Sequence, residues 1–220
     1  PQMKFGLIRE RKNPPDHRVV LSPRACQKVL SAFPKAQITA ETSPVRVFRA
    51  EEYEAVGIPV TDSVSDCDVL LGVKEVPVSA LLPGKKYFFF SHTIKKQPYN
   101  RDLLRAILQK DIELYDHEVL TNPKGVRLVA FGRYAGIVGA YNGLRGWGMV
   151  SEKFSLKPAH KCKDHSEMIE QLSQVVLDKT RILVSGGGRV AKGAMETLRS
   201  LNIRQVLPQE FLHMDYDEPV

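Results

Sequence analysis

No two of the three cysteines, Cys26, Cys67 and Cys162, stand close enough to form a CxxC pair, and their number is odd. That spacing excludes a secreted-type disulfide framework and the ligand pattern of a structural zinc site, and it points to a reducing compartment. No metal is expected. Long apolar runs are also missing: none approaches the roughly 20 residues that a membrane-spanning helix needs. The opening PQMKFGLIRE has no signal-peptide pattern, so a cytoplasmic location is expected. Concentrated basic charge is scarce too. The 220 residues carry a net charge of +7, but lysines and arginines are spread along the chain. The densest stretch, KPAHKCKDH (157–165), is short and has no interleaved aromatics, so a nucleic-acid surface is not expected. Excess positive charge suits an anionic small molecule equally well.

What is present reads as a globular α/β protein. Hydrophobic residues make up 43% and charged residues 26%, enough for one large domain or two small ones. Short apolar runs at 4–10, 36–41, 68–75, 86–92, 112–118 and 126–132 look like strands, several apolar on both faces as a helix-covered sheet requires. Between two of them, NRDLLRAILQKD (100–111) places Leu103, Leu104, Ile107 and Leu108 on one helical face, with Asn100 positioned as a cap. Strand–helix–strand alternation implies parallel strands joined by right-handed crossovers. This first, Rossmann-like unit is expected over 1–132.

A glycine-rich stretch, RYAGIVGAYNGLRGWGMV, follows. Gly136, Gly139 and Gly143 recur at helical spacing among apolar residues, which suggests a buried helix that another backbone approaches closely. With the basic stretch 157–165 it forms an expected linking segment, 133–163. DHSEMIEQLSQVVLDK (164–179) then reads as an amphipathic helix in which Asp164 and Glu167 form a capping box.

TRILVSGGGRVAKGAMETLRSLNIRQVLP (180–208) is the most informative local pattern. A strand, Arg181 to Val184, leads into Gly186-x-Gly188-x-x-Ala191, with Arg189 and Val190 opening a helix and a second short strand near Val206. Gly186 would make the tight turn, Gly188 would admit a pyrophosphate against the backbone, and Ala191 would allow close helix–strand packing. The acid that ordinarily holds the NAD ribose after the second strand is missing. The nearest is Glu210, while Arg204 or Gln205 could accommodate a 2′-phosphate, so NAD and NADP are both allowed. Only two strands fit before Val220, so 164–220 is expected to be the start of a dinucleotide-binding domain in a longer enzyme.

Charged groups gather at expected strand ends: Arg18, Lys74, His92 and Lys95. In doubly wound sheets, ligands bind beyond the carboxyl ends of the strands. A lysine and a histidine at adjoining strand ends, with an arginine to grip a carboxylate, are what proton transfer on an amino or oxo acid needs. Taken singly, each is an ordinary solvated strand end or structural histidine.

Several segments go further than spacing. LIRERKNPPDHRVVLSP (7–23), LLGVKEVP (70–77), FFFSHTIKKQ (88–97), LYDHEVL (114–120), GVRLVAFGRYAGIVGA (125–140) and ILVSGGGRVAKGA (182–194) resemble the alanine dehydrogenase and pyridine nucleotide transhydrogenase superfamily. Within it they look most like lysine-forming saccharopine dehydrogenases and the lysine–2-oxoglutarate reductase domain. The resemblance implies two Rossmann-like domains with parallel sheets covered by helices, the active site in the cleft between them, and NAD or NADP as cofactor. It matches Arg18 to a substrate-site arginine, Lys74 and His92 to the acid–base pair, Lys95 and Gln97 to polar positions of the same motif, and Glu118 to an acid near the site. The implied reaction is reductive condensation of an amine with a 2-oxo acid, or its reverse. The implied partners are those small molecules, with self-association allowed. An alanine dehydrogenase, a transhydrogenase-like subunit and a non-catalytic amino-acid-binding relative are the alternatives.

Overall fold

The computed structural model describes residues 2–220, and the chain divides into two compact units, Pro1–Ala130 and Phe131–Val220. In the first, six short strands form one wholly parallel sheet: β1 (Lys4–Leu7), β2 (Gln37–Glu41), β3 (Val60–Thr61), β4 (Val69–Leu71), β5 (Lys86–Phe89) and β6 (Glu113–Asp116). Their order across the sheet is β3-β2-β1-β4-β5-β6. The chain winds outward from β1 to one edge, returns to pair β4 against β1, and winds outward to the other edge. That reversal leaves a crevice beyond the carboxyl ends of β1 and β4.

The pairing register assigns the two faces. Phe5 and Leu7 lie level with Ile38 and Ala40 on β2 and with Val69 and Leu71 on β4. On this face Leu7, Ile38 and Ala40 pack with Cys26 of α1 (Pro23–Ala32) and Tyr53 of α2 (Ala50–Glu54). The opposite face aligns Leu70 with Tyr87 and Leu114. There Leu70, Tyr87, Phe89 and Cys67 pack with Leu103, Ala106 and Ile107 of α3 (Arg101–Gln109). Both faces are therefore helix-covered, as the double-sided apolar strands require. Tyr87 and Phe89 are almost fully buried, and each ring contributes about 2 kcal/mol of hydrophobic stabilisation. The Tyr87 hydroxyl accepts the Leu82 N–H at 2.9 Å, which makes burying its oxygen tolerable.

Three expectations for this unit are corrected. Leu104 and Leu108, expected on one apolar face of α3 with Leu103 and Ile107, are exposed while those two are buried. The run 126–132 is not a strand. Asn122 turns the chain back, its side-chain oxygen accepting the Lys124 and Val126 N–H groups, and Thr121 and Arg127 form one antiparallel bridge. Val126 and Leu128 point to solvent, so no sheet edge is covered by them. Asn100 does not cap α3: it closes a 3₁₀ turn, Pro98–Asn100, and its buried Nδ2 has no hydrogen-bond partner. The local 3₁₀ turn leads straight into the helix and leaves no extended residue to act as a cap.

The second unit is helical: α4 (Gly132–Ser151), α5 (His165–Gln171), α6 (Arg189–Leu198) and α7 (Pro208–His213). The helix expected as a linker is part of this unit and crosses α6 at close range. A Cβ on Gly136 would stand 1.9 Å from the Val190 carbonyl oxygen, and one on Gly193 would stand 1.9 Å from that of Arg133. Gly139 and Gly143, expected on the same face, look into open space. α5 ends at Gln171 and tightens into a 3₁₀ turn, Leu172–Gln174, short of the expected 179. Asp164 caps it as expected by accepting the Glu167 N–H at 3.0 Å, but the Glu167 carboxylate reaches the Lys163 N–H, so the reciprocal box is not formed. The expected strands at Arg181–Val184 and near Val206 are absent, and no strand occurs among residues 131–220. Strands exist only through ladder partners. Here Val220 accepts the Ile182 N–H and donates to the Thr180 carbonyl, and no strand forms.

The helix crossing makes a sharp prediction. Gly136→Ala and Gly193→Ala should each destabilise the second unit by about 3 kcal/mol through overpacking against backbone. Gly139→Ala and Gly143→Ala, in open helical positions, should raise stability by up to about 1 kcal/mol. Urea unfolding of the four variants separates the two classes.

Candidate functional site

Four loops leave the carboxyl ends of β1, β4, β5 and β6, and together they carry a cluster of charged side chains. The loop after β1 supplies Glu10, Lys12, Asp16 and Arg18. The Glu10 carboxylate accepts the Val73 N–H at 2.7 Å and the Lys74 N–H at 2.8 Å, so the first loop is bonded directly to the exit of β4. Burial pushes the Glu10 carboxyl above its ordinary range, against the two backbone donors that favour its charged form. Asp16 holds Arg18 in a fork: Nε lies 3.0 Å from Oδ1 and Nη2 lies 2.6 Å from Oδ2. Hydrogen bonding from Arg18 draws the Asp16 carboxyl down, and the nearby Lys74 charge adds to the effect.

Lys74 and Glu75 follow β4 on successive residues. Glu75 lies between two basic side chains: Oε1 is 2.6 Å from His92 Nδ1 and Oε2 is 2.6 Å from Lys12 Nζ. Burial alone would raise the Glu75 carboxyl, but the hydrogen bonds from Lys12 and His92 outweigh it and hold it below its ordinary value. His92 is delivered by β5. Phe89 and Phe90 are buried, Ser91 is fully buried with its hydroxyl on Asp116 Oδ2, and the chain then turns into the left-handed region at His92, φ 57°. That conformation is unusual for a residue with a Cβ and occurs where surrounding contacts over-determine it. Here they are the Glu75 hydrogen bond and a parallel stack on Phe90, with centroids 6.3 Å apart. With Nδ1 committed to Glu75, Nε2 is the ring nitrogen left to exchange protons.

Of the sequence-predicted residues, Arg18, Lys74 and His92 therefore fall in one connected cluster. Lys95 and Glu118 pair beside it, Nζ to Oε1 at 3.4 Å, and the buried Glu118 Oε2 has no hydrogen-bond partner. Gln97 lies further along an exposed 3₁₀ connection, where its Oε1 accepts the Tyr99 hydroxyl at 2.6 Å; no contact ties it to the cluster. Glu10, Lys12, Asp16 and Glu75 went unremarked in the sequence. Their signal was available in RERKNPPDHR and GVKE, where acids alternate with bases immediately after apolar runs.

In the second unit Gly186 takes φ +89° and Gly188 is the N-cap of the ten-residue α6, with Arg189 and Val190 in its first turn and Ala191 half-buried behind them. Gly186, Gly187 and Gly188 have open space where a side chain would stand. An open glycine turn on a helix N-terminus fits an anionic diphosphate. Glu210, the acid nearest in sequence to a ribose position, instead accepts the Leu207 N–H at 2.8 Å at the start of α7. Among the described residues no His, Cys, Asp and Glu cluster could hold a metal, and no helix is long and apolar enough to cross a membrane.

Residues 6–138 match the model of the alanine dehydrogenase/PNT N-terminal domain. The chain is 32% identical over 224 residues to a mitochondrial alpha-aminoadipic semialdehyde synthase from Bos taurus, covering 94% of this chain and 24% of that protein. It is 29% identical over 220 residues to a saccharopine dehydrogenase [NAD(+), L-lysine-forming] from Candida glabrata, covering 92% and 58%. Among solved structures, an L-alanine dehydrogenase superposes with a TM-score of 0.62 at 17% identity, over 90% of this chain and 52% of that one, a likeness of fold. The chain spans about a quarter of the bovine relative and under three fifths of the fungal one.

Acid titration tests the charge cluster. Asp16 and Glu75 are held below their ordinary range, so their stabilisation is complete above that range and is lost as pH falls through their folded-state values. Glu10, pushed upward, acts in the opposite sense, its contribution being lost as pH rises. Asp16→Asn with Glu75→Gln should flatten stability against pH between about 5 and 3, and Glu10→Gln should steepen it. Urea midpoints across that window give the slopes.

Proposed function

The chain belongs to the alanine dehydrogenase/PNT N-terminal domain family, and we propose that it carries the acid–base site of an NAD(P)-dependent oxidoreductase that forms or breaks the C–N bond of an amino acid. Relatedness to amino-acid dehydrogenases supports the class. The observation that carries the chemistry is the Lys74–Glu75–His92 arrangement at the switch point of the sheet, with Glu75 bonded to His92 at 2.6 Å and Arg18 presented on Asp16.

Arg18 binds a substrate carboxylate through its guanidinium, pre-aligned by Asp16 so that little side-chain entropy is lost on binding. In the condensing direction an amine nitrogen attacks the carbon of a 2-oxo acid. One of Lys74 and His92 passes a proton from nitrogen to the carbonyl oxygen, giving a carbinolamine, and the other protonates that hydroxyl, which leaves as water and leaves an iminium. His92 does this from Nε2, its Nδ1–H donated to Glu75, so the ring is held in one orientation while its proton changes. Lys95, Glu118 and Gln97, on the connections beside the acid–base pair, orient the second carboxylate or the amine. Positioned acid–base groups of this kind supply roughly 10²–10⁴ in rate. A nicotinamide cofactor, when bound, supplies the hydride, and Gly186, Gly188, Arg189, Val190 and Ala191 would hold its diphosphate. The names of the fungal relatives favour NAD(+), and a lysine-forming saccharopine dehydrogenase reaction is the specific form proposed. The substrates are a small amino acid and a 2-oxo acid, with no nucleic acid or membrane partner.

In the full-length protein, His92→Ala and Lys74→Met should each lower turnover by about tenfold or more while leaving the circular dichroism spectrum unchanged. Wild-type turnover in both would refute the assignment. Calorimetric titration with NADH and NADPH, each repeated with lysine, alanine and 2-oxoglutarate, identifies the cofactor and substrate. Alanine-strengthened binding would mark an alanine dehydrogenase, and amino-acid binding without any nucleotide binding would mark a non-catalytic relative.

A further inference from the structure

Lys74 lies just past the end of β4, on a bend where a loop would ordinarily be loose. The backbone beneath it is nevertheless bonded on both sides. Gly72 N–H donates to the Phe88 carbonyl at 2.8 Å, and Phe90 N–H donates to the Val73 carbonyl at 3.0 Å, extending the β4–β5 pairing past the strand ends. Three further groups are taken by two side chains from opposite sides. Glu10, from the loop after β1, accepts the Val73 and Lys74 N–H groups with its two oxygens at 2.7 and 2.8 Å. His117, just past β6, reaches across β5 and donates from Nε2 to the Gly72 carbonyl at 3.0 Å. Its ring is buried against Phe90 and Phe88, with centroids 5.2 and 6.2 Å away, and its Nδ1 has no partner. A buried nitrogen left unsatisfied is a cost that the Nε2 bond must offset. A Cβ on Gly72 would crowd the Ile8 side chain at 2.8 Å and stand 3.4 Å from the Glu10 carboxylate.

We propose that Glu10 and His117 are positioning residues that clamp the Gly72–Lys74 backbone and thereby fix the Lys74 amine relative to His92. Neither touches the reacting atoms. The clamp joins the exits of three strands, β1, β4 and β6, so the acid–base pair is held by the sheet and not by the loops that carry it. The inference rests on the acid–base role given to Lys74 above.

Two readouts in the full-length protein test it. The first is independent of activity: amide hydrogen exchange at Val73 and Lys74 should be slow in the wild type and faster by about tenfold or more in Glu10→Gln, where an amide nitrogen replaces one of the two acceptors. Wild-type exchange in that variant would overturn the clamp. The second is kinetic. Glu10→Gln and His117→Leu should lower kcat by about tenfold with the KM for nucleotide unchanged. His117→Gln, whose amide nitrogen reaches the place of Nε2, should recover most of the loss, and His117→Asn, which is too short, should not. Loosened exchange with wild-type kcat, or equal loss in His117→Gln and His117→Asn, would overturn the positioning role. Lys74→Met is the control for the underlying reading: if it turns over normally, the acid–base assignment fails while the exchange result still reports on the clamp.

Discussion

The pairing of β1 with β4 is the constraint from which the rest of the first unit follows. Phe5, Gly6 and Leu7 lie level with Val69, Leu70 and Leu71 although more than 60 residues separate them. Once those strands are parallel neighbours, the intervening chain must cross to one side and the following chain to the other. The loops that leave the carboxyl ends of β1 and β4 then diverge around a crevice. The acid–base residues come together because of that topology, drawn from segments far apart in sequence.

Charge at this edge is organised by compensation. Asp16 neutralises Arg18, Glu75 stands between Lys12 and His92, and Glu118 meets Lys95. A carboxylate that meets a cation is held in its charged form, whereas burial without one favours the neutral form. Pairing fixes the direction of these side chains at the edge of the sheet. The same logic explains why Glu10, whose partners are backbone amides and not a cation, is the carboxyl that burial pushes upward.

The first unit was legible to the degree that its signals were periodic. Tyr87 to Phe90 announced a buried strand because only a two-sided apolar environment accommodates such a run, and α3 announced itself through Leu103, Leu104, Ile107 and Leu108, of which Leu103 and Ile107 are buried and the other two exposed. VRLVAFG carries an equally apolar run and is not a strand, because the Asn122 turn before it settles the local chain direction and periodicity does not register turns. The strands of the second unit failed for a related reason: β-structure is a property of pairs, and composition reports on one member at a time. At the site, Lys74 and His92 could be found from their places after apolar runs. Glu75 and Glu10 could not be ranked above other acids, since their importance lies in hydrogen bonds to groups 17 and 64 positions away. His117 was hidden further, because a histidine bonded to a carbonyl inside a core has the same sequence signature as one on a surface.

The placement of the cysteines has a use of its own. Cys26 is buried on one face of the sheet and Cys67 on the other, and burial pushes both thiols up, Cys26 to about 11. Thiolate is the species that alkylating reagents capture, so both sulfurs are chemically silent while the sheet is closed. Each layer of the first unit thus contains a native, residue-specific reporter of its own opening. Pulsed alkylation followed by peptide mass measurement would time the loss of the two helical covers separately, without any substitution in the chain.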